Sequence, residues 1–552
     1  MEVKDLKKKK FVQVLVFVVL GLAALAVYYY VTIPAINIHS SGTWAAMMLL
    51  LVLLLALLVG RQFKKSGQDA VEGAVYKFRL KEMGLPVKLL GGLILVLGVV
   101  YVAGSLLSSP FFNASKYQKL LTIQERAFTD DIKEVDYKTI PLLDKDSASL
   151  LGNRKMGSMV DMVSQFEVSG DYSQINYQGK PVRVTPLTYA SPIKWLTNQR
   201  GGIPAYILID MTTQNTECVK LTEGIRYSKG EYFNRNIYRH LRFRYPTYIF
   251  DDQIFFEIDE EGTPYWVCPV KKFNIGLFGG QTIGRVVLCN AQTGECVDYA
   301  VEDVPQWIDK VYSADLLVNL YDYSGLLKHG YWNSLLGQRD CLQSTHGYNY
   351  IALEDDVWVY TGVTSVSGDQ SNVGFVLMNQ RTMETRYYKV EGAIEDSAMS
   401  SAEGQVQNLG YRSTFPLLLN IAYEPTYFMA LKDGAGLVKK YAMVNVQKYQ
   451  WVAIGDTVQE CEKNYMELLN TNGIVSAAAE SNKSVSGKIE SISPVVLGGN
   501  SHYYICLVGQ DDIFDVDMTD ASLVTIIKYQ VGDQVTFQYA EGYGVNEVKD
   551  IS

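Results

Sequence analysis

Apolar residues are concentrated in three long stretches near the start of the chain, and none of these stretches holds a charged side chain. They cover residues 11–33, 43–60 and 89–107. A helix needs roughly 20 such residues to cross a bilayer, so the pattern predicts three transmembrane helices in a membrane domain of residues 1–110. A buried core helix explains one stretch alone but not three. For the first stretch the alternative is a cleaved signal peptide, and its 23 uncharged residues without a small-residue cleavage site favour an anchor.

Basic residues around these stretches indicate how the chain crosses the bilayer. Lysines precede the first stretch at positions 4 and 7–10, seven basic residues lie between the second and third stretches, and residues 34–42 have none. By the positive-inside rule, the N-terminus and the second loop are cytoplasmic. We therefore expect a multi-pass protein of the cell membrane, in which everything after about Ser108 is extracytoplasmic.

Net charge divides the chain in the same place. Residues 1–88 carry 12 Lys or Arg and 5 Asp or Glu, a net charge of +7. Since the whole chain has a net charge of −9, residues 89–552 have a net charge of −16. Phosphate backbones are bound by basic surfaces. The acidic outer part therefore predicts no nucleic-acid partner, and the lipid bilayer is the partner of the N-terminal part.

A β-hairpin pattern recurs four times in the outer part. Its clearest copy is VVLCNAQTGECVDY at residues 286–299, in which an apolar run, a polar turn and a second alternating run follow one another. Similar stretches lie at residues 206–215, 375–384 and 441–450. The turns open with Asp210, Asn290, Asn379 and Asn445, whose side chains accept hydrogen bonds from backbone N–H groups. A further strand precedes each copy, at residues 182–187, 264–270, 357–363 and 425–431, so each unit has at least three strands.

A helix-like segment follows the hairpins. The clearest covers residues 457–469, where Thr457 and Glu460 have the spacing of a capping box. The apolar positions expected to face a sheet are Val458, Cys461, Tyr465 and Leu468 there, Val304, Trp307, Ile308 and Val311 after the second hairpin, and Ala398, Met399, Ala402, Val406 and Leu409 after the third. One helix against a small antiparallel sheet buries both stripes, and the predicted fold class is α+β.

The second unit resembles a PepSY domain, in the order TPYWVCPV and then GRVVLCNAQTGECV. Residues 116–469, including HLRFRYPTYIF and WNSLLGQRD, also resemble an uncharacterised family of large bacterial membrane-anchored proteins. The PepSY resemblance implies an extracytoplasmic binding or inhibitory module, sometimes associated with peptidases, and it implies no catalytic residues. The expected units are a membrane-proximal region (111–180) and four PepSY-like units (181–255, 256–340, 341–420 and 421–470).

The C-terminal tail differs from the repeats. Five short alternating stretches at residues 483–492, 502–508, 512–516, 522–527 and 532–539 resemble a small β-barrel of the OB type, which we place at residues 483–552 after a linker at residues 471–482. OB barrels commonly bind oligonucleotides or oligosaccharides. With 4 basic and 10 acidic residues, this barrel is expected to be structural or to bind protein.

Candidate chemistry is sparse along the chain. All seven cysteines lie in the outer part; Cys289 and Cys296 flank the second turn and either face each other across it or remain free and buried. No CxxC or HExxH spacing is present, Ser191 and Lys194 match Ser-x-x-Lys without its partner motifs, and the acidic clusters at residues 257–262 and 354–356 fit solvated turns rather than a calcium loop. We therefore predict no catalytic residue, no cofactor and no metal ligand.

Two functions remain open from sequence. The first is a non-enzymatic binding, scaffold or regulatory protein of the bacterial cell envelope, whose partner is an envelope protein, peptidoglycan or a peptide. The alternative is an envelope peptidase or cell-wall hydrolase whose site forms only in three dimensions. The aromatic content supports the first, because 38 tyrosines and six outer tryptophans suit peptide or glycan surfaces, although most of them are expected to pack in the core or on strands.

Overall fold

The structure is a computed structural model of the 552-residue chain. It describes residues 19, 21, 23–67, 84–133, 140–141, 143–365, 371–472, 483–497, 500–510, 512–518, 520, 522–540 and 545–551. The chain divides into two compact units. The first is Met1–Lys439 with Val444–Gln450, and the second is Lys440–Met443 with Trp451–Ser552.

Long helices are confined to the N-terminal region. The helices are α1 (Ala23–Thr32), α2 (Ser41–Gly67), α3 (Leu85–Leu107), α4 (Pro110–Gln118), α5 (Phe128–Asp131), α6 (Lys145–Gly157), α7 (Pro192–Asn198), α8 (Ile237–Arg244), α9 (Ala314–Leu326), α10 (Glu395–Gln405) and α11 (Val458–Thr471). Side chains cap several of them. Asp144 accepts a hydrogen bond from Ser147 N at the start of α6, and Ser313 accepts one from Leu316 N at the start of α9, which satisfies donors that the first helical turn leaves free.

Strands make up most of the remaining regular structure. They are β1 (Ile123–Arg126), β2 (Phe166–Val168), β3 (Ser173–Tyr177), β4 (Lys180–Tyr189), β5 (Ile203–Asp210), β6 (Thr216–Ile225), β7 (Phe255–Ile258), β8 (Pro264–Ile275), β9 (Gly279–Asn290), β10 (Cys296–Ala300), β11 (Leu342–Ser344), β12 (Asn349–Leu353), β13 (Asp356–Ser365), β14 (Ser371–Asn372), β15 (Gly374–Asn379), β16 (Thr385–Tyr388), β17 (Gly392–Ala393), β18 (Arg412–Ser413), β19 (Leu417–Ile421), β20 (Glu424–Lys432), β21 (Val438–Asn445), β22 (Val452–Gly455), β23 (Lys483–Leu497), β24 (Asn500–Leu507), β25 (Ile513–Asp517), β26 (Gln534–Ala540) and β27 (Asn546–Ile551). The fold thus mixes helices with largely antiparallel sheets.

Two of the three predicted membrane-spanning stretches form helices of the expected kind. Within α2, residues 41–60 are long and apolar enough to cross a membrane, and so is the whole of α3. For the stretch at residues 11–33, the described part is the short apolar helix α1, and residues 11–18, 20 and 22 lie outside the described residues. The structure therefore has two helices of spanning length among its described residues, not three.

The sheet formed by β7–β10 lies between two hydrophobic cores. Its strand order is β10-β9-β8-β7. On one face, Trp266 and Cys289 pack into a core shared with the sheet β2-β4-β5-β6. On the other face, Val267 and Leu288 pack into a core shared with β13 and β15. Burial on both faces explains why residues 286–289 of β9 form a continuous apolar run rather than an alternating one.

All four predicted hairpin units are present with their three strands. The hairpins are β5–β6, β9–β10, β15–β16 and β21–β22, and the strand beside each is β4, β8, β13 and β20. In every turn, the Oδ1 atom of Asp210, Asn290, Asn379 or Asn445 accepts hydrogen bonds of 2.8–3.0 Å from the backbone N–H groups two and three residues later. The predicted turn chemistry is therefore confirmed.

The helix predicted after the second hairpin is absent. Val304, Ile308 and Val311 are buried as expected, but residues 304–313 are not helical, and helix α9 begins only after Ser313. The reason is tertiary hydrogen bonding. The backbone N–H of Val311 donates to Gln380 O at 3.0 Å, and the two residues before it donate to a carboxylate on β7, so these donors are not free to build helical turns.

The helix predicted after the third hairpin is present as α10. It buries Ala398 and Ala402, and Val406 lies just beyond its last residue and is also buried. Leu409 differs from the prediction because it is exposed. The chain turns away at Gly410, whose φ of +66° ends the helical path.

The second compact unit, Lys440–Met443 with Trp451–Ser552, contains α11, β22 and a closed barrel. Helix α11 is capped as predicted at one end, since Thr457 Oγ1 accepts from Glu460 N, whereas the Glu460 carboxylate accepts from Asp456 N. Its buried residues are Val458, Cys461, Tyr465 and Leu469, so Leu469 takes the inward position that was predicted for Leu468.

The barrel has the strand order β23-β24-β25-β27-β26. Its core includes Ile505, Phe514 and Phe537. Residues 522–527 were expected to be its fourth strand, but Leu523–Lys528 form a 3-10 helix that turns Leu523 and Ile526 into the core. The missing strand is β27, which pairs in parallel with β25. A spacing of three residues between buried positions belongs to the 3-10 helix and not to a strand.

The boundaries predicted between the PepSY-like units do not separate the hydrophobic cores of the first compact unit. One core combines residues of β4 and β5 with residues of β8 and β9, and a second combines β8 and β9 with β13 and β15. Most of the predicted linker, residues 473–482, lies outside the described residues.

Candidate functional site

A cleft of about 510 Å³ opens in the first unit, where β3, β4, β7 and the segment before α9 come together. This volume lies within the usual range of ligand pockets, roughly 300–1,000 Å³. The residues that line it include six aromatic side chains and charged groups of both signs. The aromatic residues are Tyr172, Phe255, Phe256, Tyr348, Tyr350 and Phe415; the charged ones are Asp144, Lys145, Asp146, Asp171, Arg183, Lys229, Asp252 and Lys310.

Arg183 lies on β4 and lines the cleft although its residue is only 5% exposed. Its Nε donates to Leu143 O and its Nη2 donates to Gln174 Oε1, both at 3.3 Å. Among the described residues, no carboxylate forms an ion pair with this guanidinium. Burial lowers the pKa of Arg183, and nearby acidic groups oppose that effect. A buried arginine with neutral partners still has donors for an anionic group.

Lys310 lies beside Arg183 in the cleft wall and is 6% exposed. Its Nζ sits 4.6 Å from the ring centroid of Tyr350 and 5.7 Å from that of Phe255, in cation–π positions. The part of the chain that the structure describes offers it no ion pair. Burial, together with repulsion from Arg183, lowers the pKa of Lys310 to about 8.

Two buried carboxyl groups lie behind these cations. Glu257 accepts hydrogen bonds of 3.0 Å from the backbone N–H groups of Asp309 and Lys310, and Asp309 accepts one of 2.6 Å from Asn176 N. Burial raises the pKa of Glu257 to about 7 and raises that of Asp309 well above its usual range. Glu257 therefore titrates near neutral pH, and its negative charge beside Lys310 is reduced there.

Three of the four aspartates that line the cleft are already ion-paired. Asp171 pairs with Lys229 at 2.6 Å, Asp144 pairs with Lys432 at 2.5 Å, and Asp252 pairs with Lys271 at 2.8 Å. These ion pairs neutralise three of the four aspartates, while Arg183 and Lys310 have no ion pair among the described residues. The cleft is thus suited to an anionic group attached to an apolar or aromatic body.

A second cluster lies outside the cleft lining. The side chains of His240 on α8, Cys289 on β9 and Cys296 on β10 place one nitrogen and two sulfur atoms within 4.8 Å of one another. Cys289 is buried, and Cys296 and His240 are half-buried. Hydrogen bonding to Cys289 and His240 lowers the pKa of Cys296 to about 5, and the bond to Cys296 raises the pKa of both Cys289 and His240.

Several residues that drew attention in the sequence have structural roles. Ser191 caps α7 by accepting from Lys194 N at 3.3 Å, and it does not line the cleft. Glu257 and Asp356 were interpreted as solvated turn residues, but both are buried: Glu257 binds the backbone described above, and Asp356 pairs with Arg381 at 2.7 Å. The cross-strand pairing of Cys289 and Cys296 was anticipated as one of two alternatives, and the register shows that they face each other as free cysteines.

Sequence reasoning missed Arg183, Lys310 and His240. None of them belongs to a recognisable motif, and the cleft is formed by segments more than 100 residues apart. The one signal in the sequence was an Arg inside an otherwise apolar strand, VRVTPL, because such a charge is rarely buried without a purpose.

Comparison with known proteins does not identify a family. No protein-family model matches the chain, and no curated protein matches its sequence. Solved structures with some similarity include a Bombyx mori GH32 beta-fructofuranosidase mutant in complex with sucrose, at 10% identity over 65% of this chain and 62% of that one, with a TM-score of 0.18. A Synechocystis apocarotenoid oxygenase mutant shows 9% identity over 71% of this chain and 66% of that one, with a TM-score of 0.15. The chain covers less than two thirds of either structure, and TM-scores this low support neither a shared fold nor a shared function.

Proposed function

We propose that this chain is a non-enzymatic binding or scaffold protein of the bacterial cell envelope, anchored in the membrane and built outside the cell from PepSY-like hairpin modules. Its cleft takes a peptide-like ligand with a carboxylate group. The observation that carries this proposal is the pair of buried cations, Arg183 and Lys310, which line the cleft and have no ion-pair partner among the described residues.

The chemistry of the cleft favours a carboxylate over a neutral group. A buried cation without a partner is costly, and an anionic ligand removes that cost while forming charge-assisted hydrogen bonds. The rim ion pairs and the tyrosines around them suit the amides and apolar side chains of a peptide. A peptidoglycan stem peptide or the C-terminal end of an envelope protein offers this combination.

Contacts join the sheets to the loop between α1 and α2 and to the end of α3. In the loop between α1 and α2, Asn37 Nδ2 donates to Thr247 O at 2.9 Å, and His39 Nδ1 lies 2.7 Å from Leu277 O. At the end of α3, Ser108 Oγ accepts from Leu277 N at 2.7 Å. The loop and the end of α3 therefore share one side of any bilayer that α2 and α3 cross. This agrees with the positive-inside prediction, which places residues 34–42 outside.

A pair of matched ligands tests the binding function. The full chain in detergent is titrated calorimetrically with short peptides that end in a free carboxylate and with the same peptides ending in an amide. Hydrogen bonds to charged groups are each worth about 1.5–3 kcal/mol, so we expect the carboxylate form to bind at least about 10-fold more tightly. Arg183→Met should remove this preference, whereas Glu217→Gln, on the exposed part of β6, should keep it. Equal affinity of the two peptides for the wild-type chain would contradict the proposal.

Membrane orientation needs its own measurement. Protease added to intact, wall-stripped cells is expected to degrade the region after Ser108. If that region is cut only after lysis, the extracytoplasmic placement is wrong, whatever the peptide titration shows.

The alternative function is an envelope peptidase or cell-wall hydrolase. The observation that favours it is the position of the Cys296 thiol beside His240, which is the arrangement of a nucleophile and a base. Neither residue lines the cleft, so the two sites are separate. Cleavage of peptides or cell-wall fragments by the purified chain, lost in Cys296→Ser, would favour the hydrolase and overturn the non-enzymatic proposal.

A further inference from the structure

The second hairpin places two thiols in close proximity. Cys289 on β9 and Cys296 on β10 are directly opposite in the antiparallel register. The next pair, Asn290 and Glu295, closes the hairpin with a backbone hydrogen bond of 2.9 Å. Pair types alternate along an antiparallel ladder, so the cysteines occupy a non-hydrogen-bonded pair, where opposing side chains approach most closely.

His240 approaches this pair from a different element. It lies on α8, and its ring packs 4.4 Å from the ring of Tyr227, which helps to fix its orientation. The Nε2 atom lies 2.7 Å from the carbonyl oxygen of Gly294 in the hairpin turn. A carbonyl only accepts, so Nε2 carries the proton and the lone pair is on Nδ1. Histidines that bind metals usually donate their other ring N–H to a carbonyl or carboxylate in this way.

We propose that His240, Cys289 and Cys296 bind a zinc ion through one imidazole nitrogen and two thiolates. The three ligand atoms lie within 4.8 Å of one another. Tetrahedral zinc with Zn–S bonds of about 2.3 Å places its sulfur ligands roughly 3.8 Å apart, so an inward movement of less than about 1 Å closes the site. Two soft sulfurs and an imidazole are a donor set that zinc favours over calcium or magnesium.

The surroundings of the cluster suit a bound ion with one open position. Cys289 is fully buried in the core beside Trp266, which keeps the ligands on rigid strands. His240 is only partly buried in the cluster, so the ion is reachable from solvent on that side and the fourth position is left to water. Sites with three protein ligands and one open position are the arrangement found in catalytic zinc centres. The zinc site is independent of the proposed ligand cleft, since neither shares residues with the other.

Cobalt provides a spectroscopic probe of the site. The full chain, purified in detergent under anaerobic, reducing conditions, is titrated with Co²⁺, which gives a sulfur-to-metal charge-transfer band and visible d–d bands when tetrahedral thiolates bind it. We expect one equivalent to bind and Zn²⁺ to displace it. His240→Gln keeps a donor for Gly294 O but lacks the imidazole nitrogen. Loss of an outer partner alone costs about 10- to 100-fold in metal affinity, so removal of this ligand should weaken binding by at least about 100-fold.

Controls separate ligand loss from misfolding. Cys218→Ser removes a half-buried thiol of the same unit on β6 and should bind cobalt like the wild type. Zinc should raise the melting temperature of the wild type and of Cys218→Ser, but not that of Cys296→Ser. The proposal is overturned if the reduced wild-type chain binds no stoichiometric metal, if Cys296→Ser gives an unchanged cobalt spectrum, or if Cys289 and Cys296 are joined as a disulfide in protein freshly isolated from cells.

Discussion

The buried carboxylate of Glu257 accepts a 3.0 Å hydrogen bond from the backbone N–H of Lys310, 53 positions further along the chain. The same carboxylate accepts a second bond from Asp309 N. This one side chain holds the segment before α9 in an irregular path and places the Lys310 side chain in the cleft wall. The carboxyl group that shapes the site is therefore also a titrating group beneath it.

Substitution of Glu257 should change how stability depends on pH. The pKa of Glu257 is raised by burial to about 7, from an ordinary value of 4.5. Between these values the unfolded chain releases a proton that the folded chain keeps, so the contribution of this group to stability is greatest below about pH 4.5 and is lost as the pH rises to about 7.

We therefore expect the stability difference between the wild type and Glu257→Gln to favour the wild type most at low pH. The difference should shrink by about 3 kcal/mol between pH 4.5 and 8, since one pKa unit corresponds to 1.36 kcal/mol. Thermal unfolding of both proteins in detergent across this range measures it. A difference that stays constant with pH would show that Glu257 titrates normally.

Binding of the carboxylate peptide should weaken at alkaline pH. Because burial lowers the pKa of Lys310 to about 8, its side chain loses its charge between pH 7 and 9.5, whereas an exposed lysine stays charged. Affinity for the free-carboxylate peptide should fall across this range in the wild type. Lys310→Arg, which stays charged, should bind with an affinity that changes little. Parallel pH profiles for the two proteins would mean that Lys310 does not contact the ligand.

The first hairpin turn provides a matched pair of substitutions. Asp210 Oδ1 accepts from Thr212 N at 2.8 Å and from Thr213 N at 2.9 Å. Asp210→Ala leaves both donors without this acceptor and should lower the free energy of unfolding by about 1–2 kcal/mol, as loss of a helix-capping acceptor does. Asp210→Asn keeps the oxygen, as in the other three turns, and should be close to the wild type. The melting temperatures of the three proteins test this, and an equal loss in both variants would assign the effect to charge instead.

Gly279 on β9 lies close against the end of α3 and against α4. A Cβ atom at this residue would overlap both Ser108 O and Tyr117 Oη. Gly279→Ala should therefore force the end of α3 away from β9 and increase protease cleavage near residue 108. Gly434→Ala is the control, because a Cβ atom there meets nothing within 4 Å. If both variants resist protease equally, the junction is looser than these contacts indicate.

Local sequence patterns predicted the hairpins because each depends on residues close together in the chain. The side chain of Asn290 or Asn379 accepts from the N–H groups two and three residues later, so the whole interaction lies within one turn. The turn role of these residues could therefore be predicted without knowledge of the fold. The same is true of Thr457 at the start of α11.

Predictions were wrong where distant residues determine the local backbone. The path of residues 304–313 depends on Glu257 and Gln380, which lie about 50 and 70 positions away, and no periodicity records them. Residues 522–527 were interpreted as a strand from their composition, although their buried positions, Leu523 and Ile526, have the spacing of a 3-10 helix. The cleft was not predicted because Arg183 and Lys310 meet only after three sheets have assembled.

The two-faced sheet β7–β10 has a consequence for how such a chain can change over generations. Its β8 and β9 strands supply one wall to the core beneath the first hairpin and the opposite wall to the core beneath the third. Deleting one hairpin would therefore expose part of a hydrophobic core to water. We expect the first three hairpins to be kept as a set in related chains.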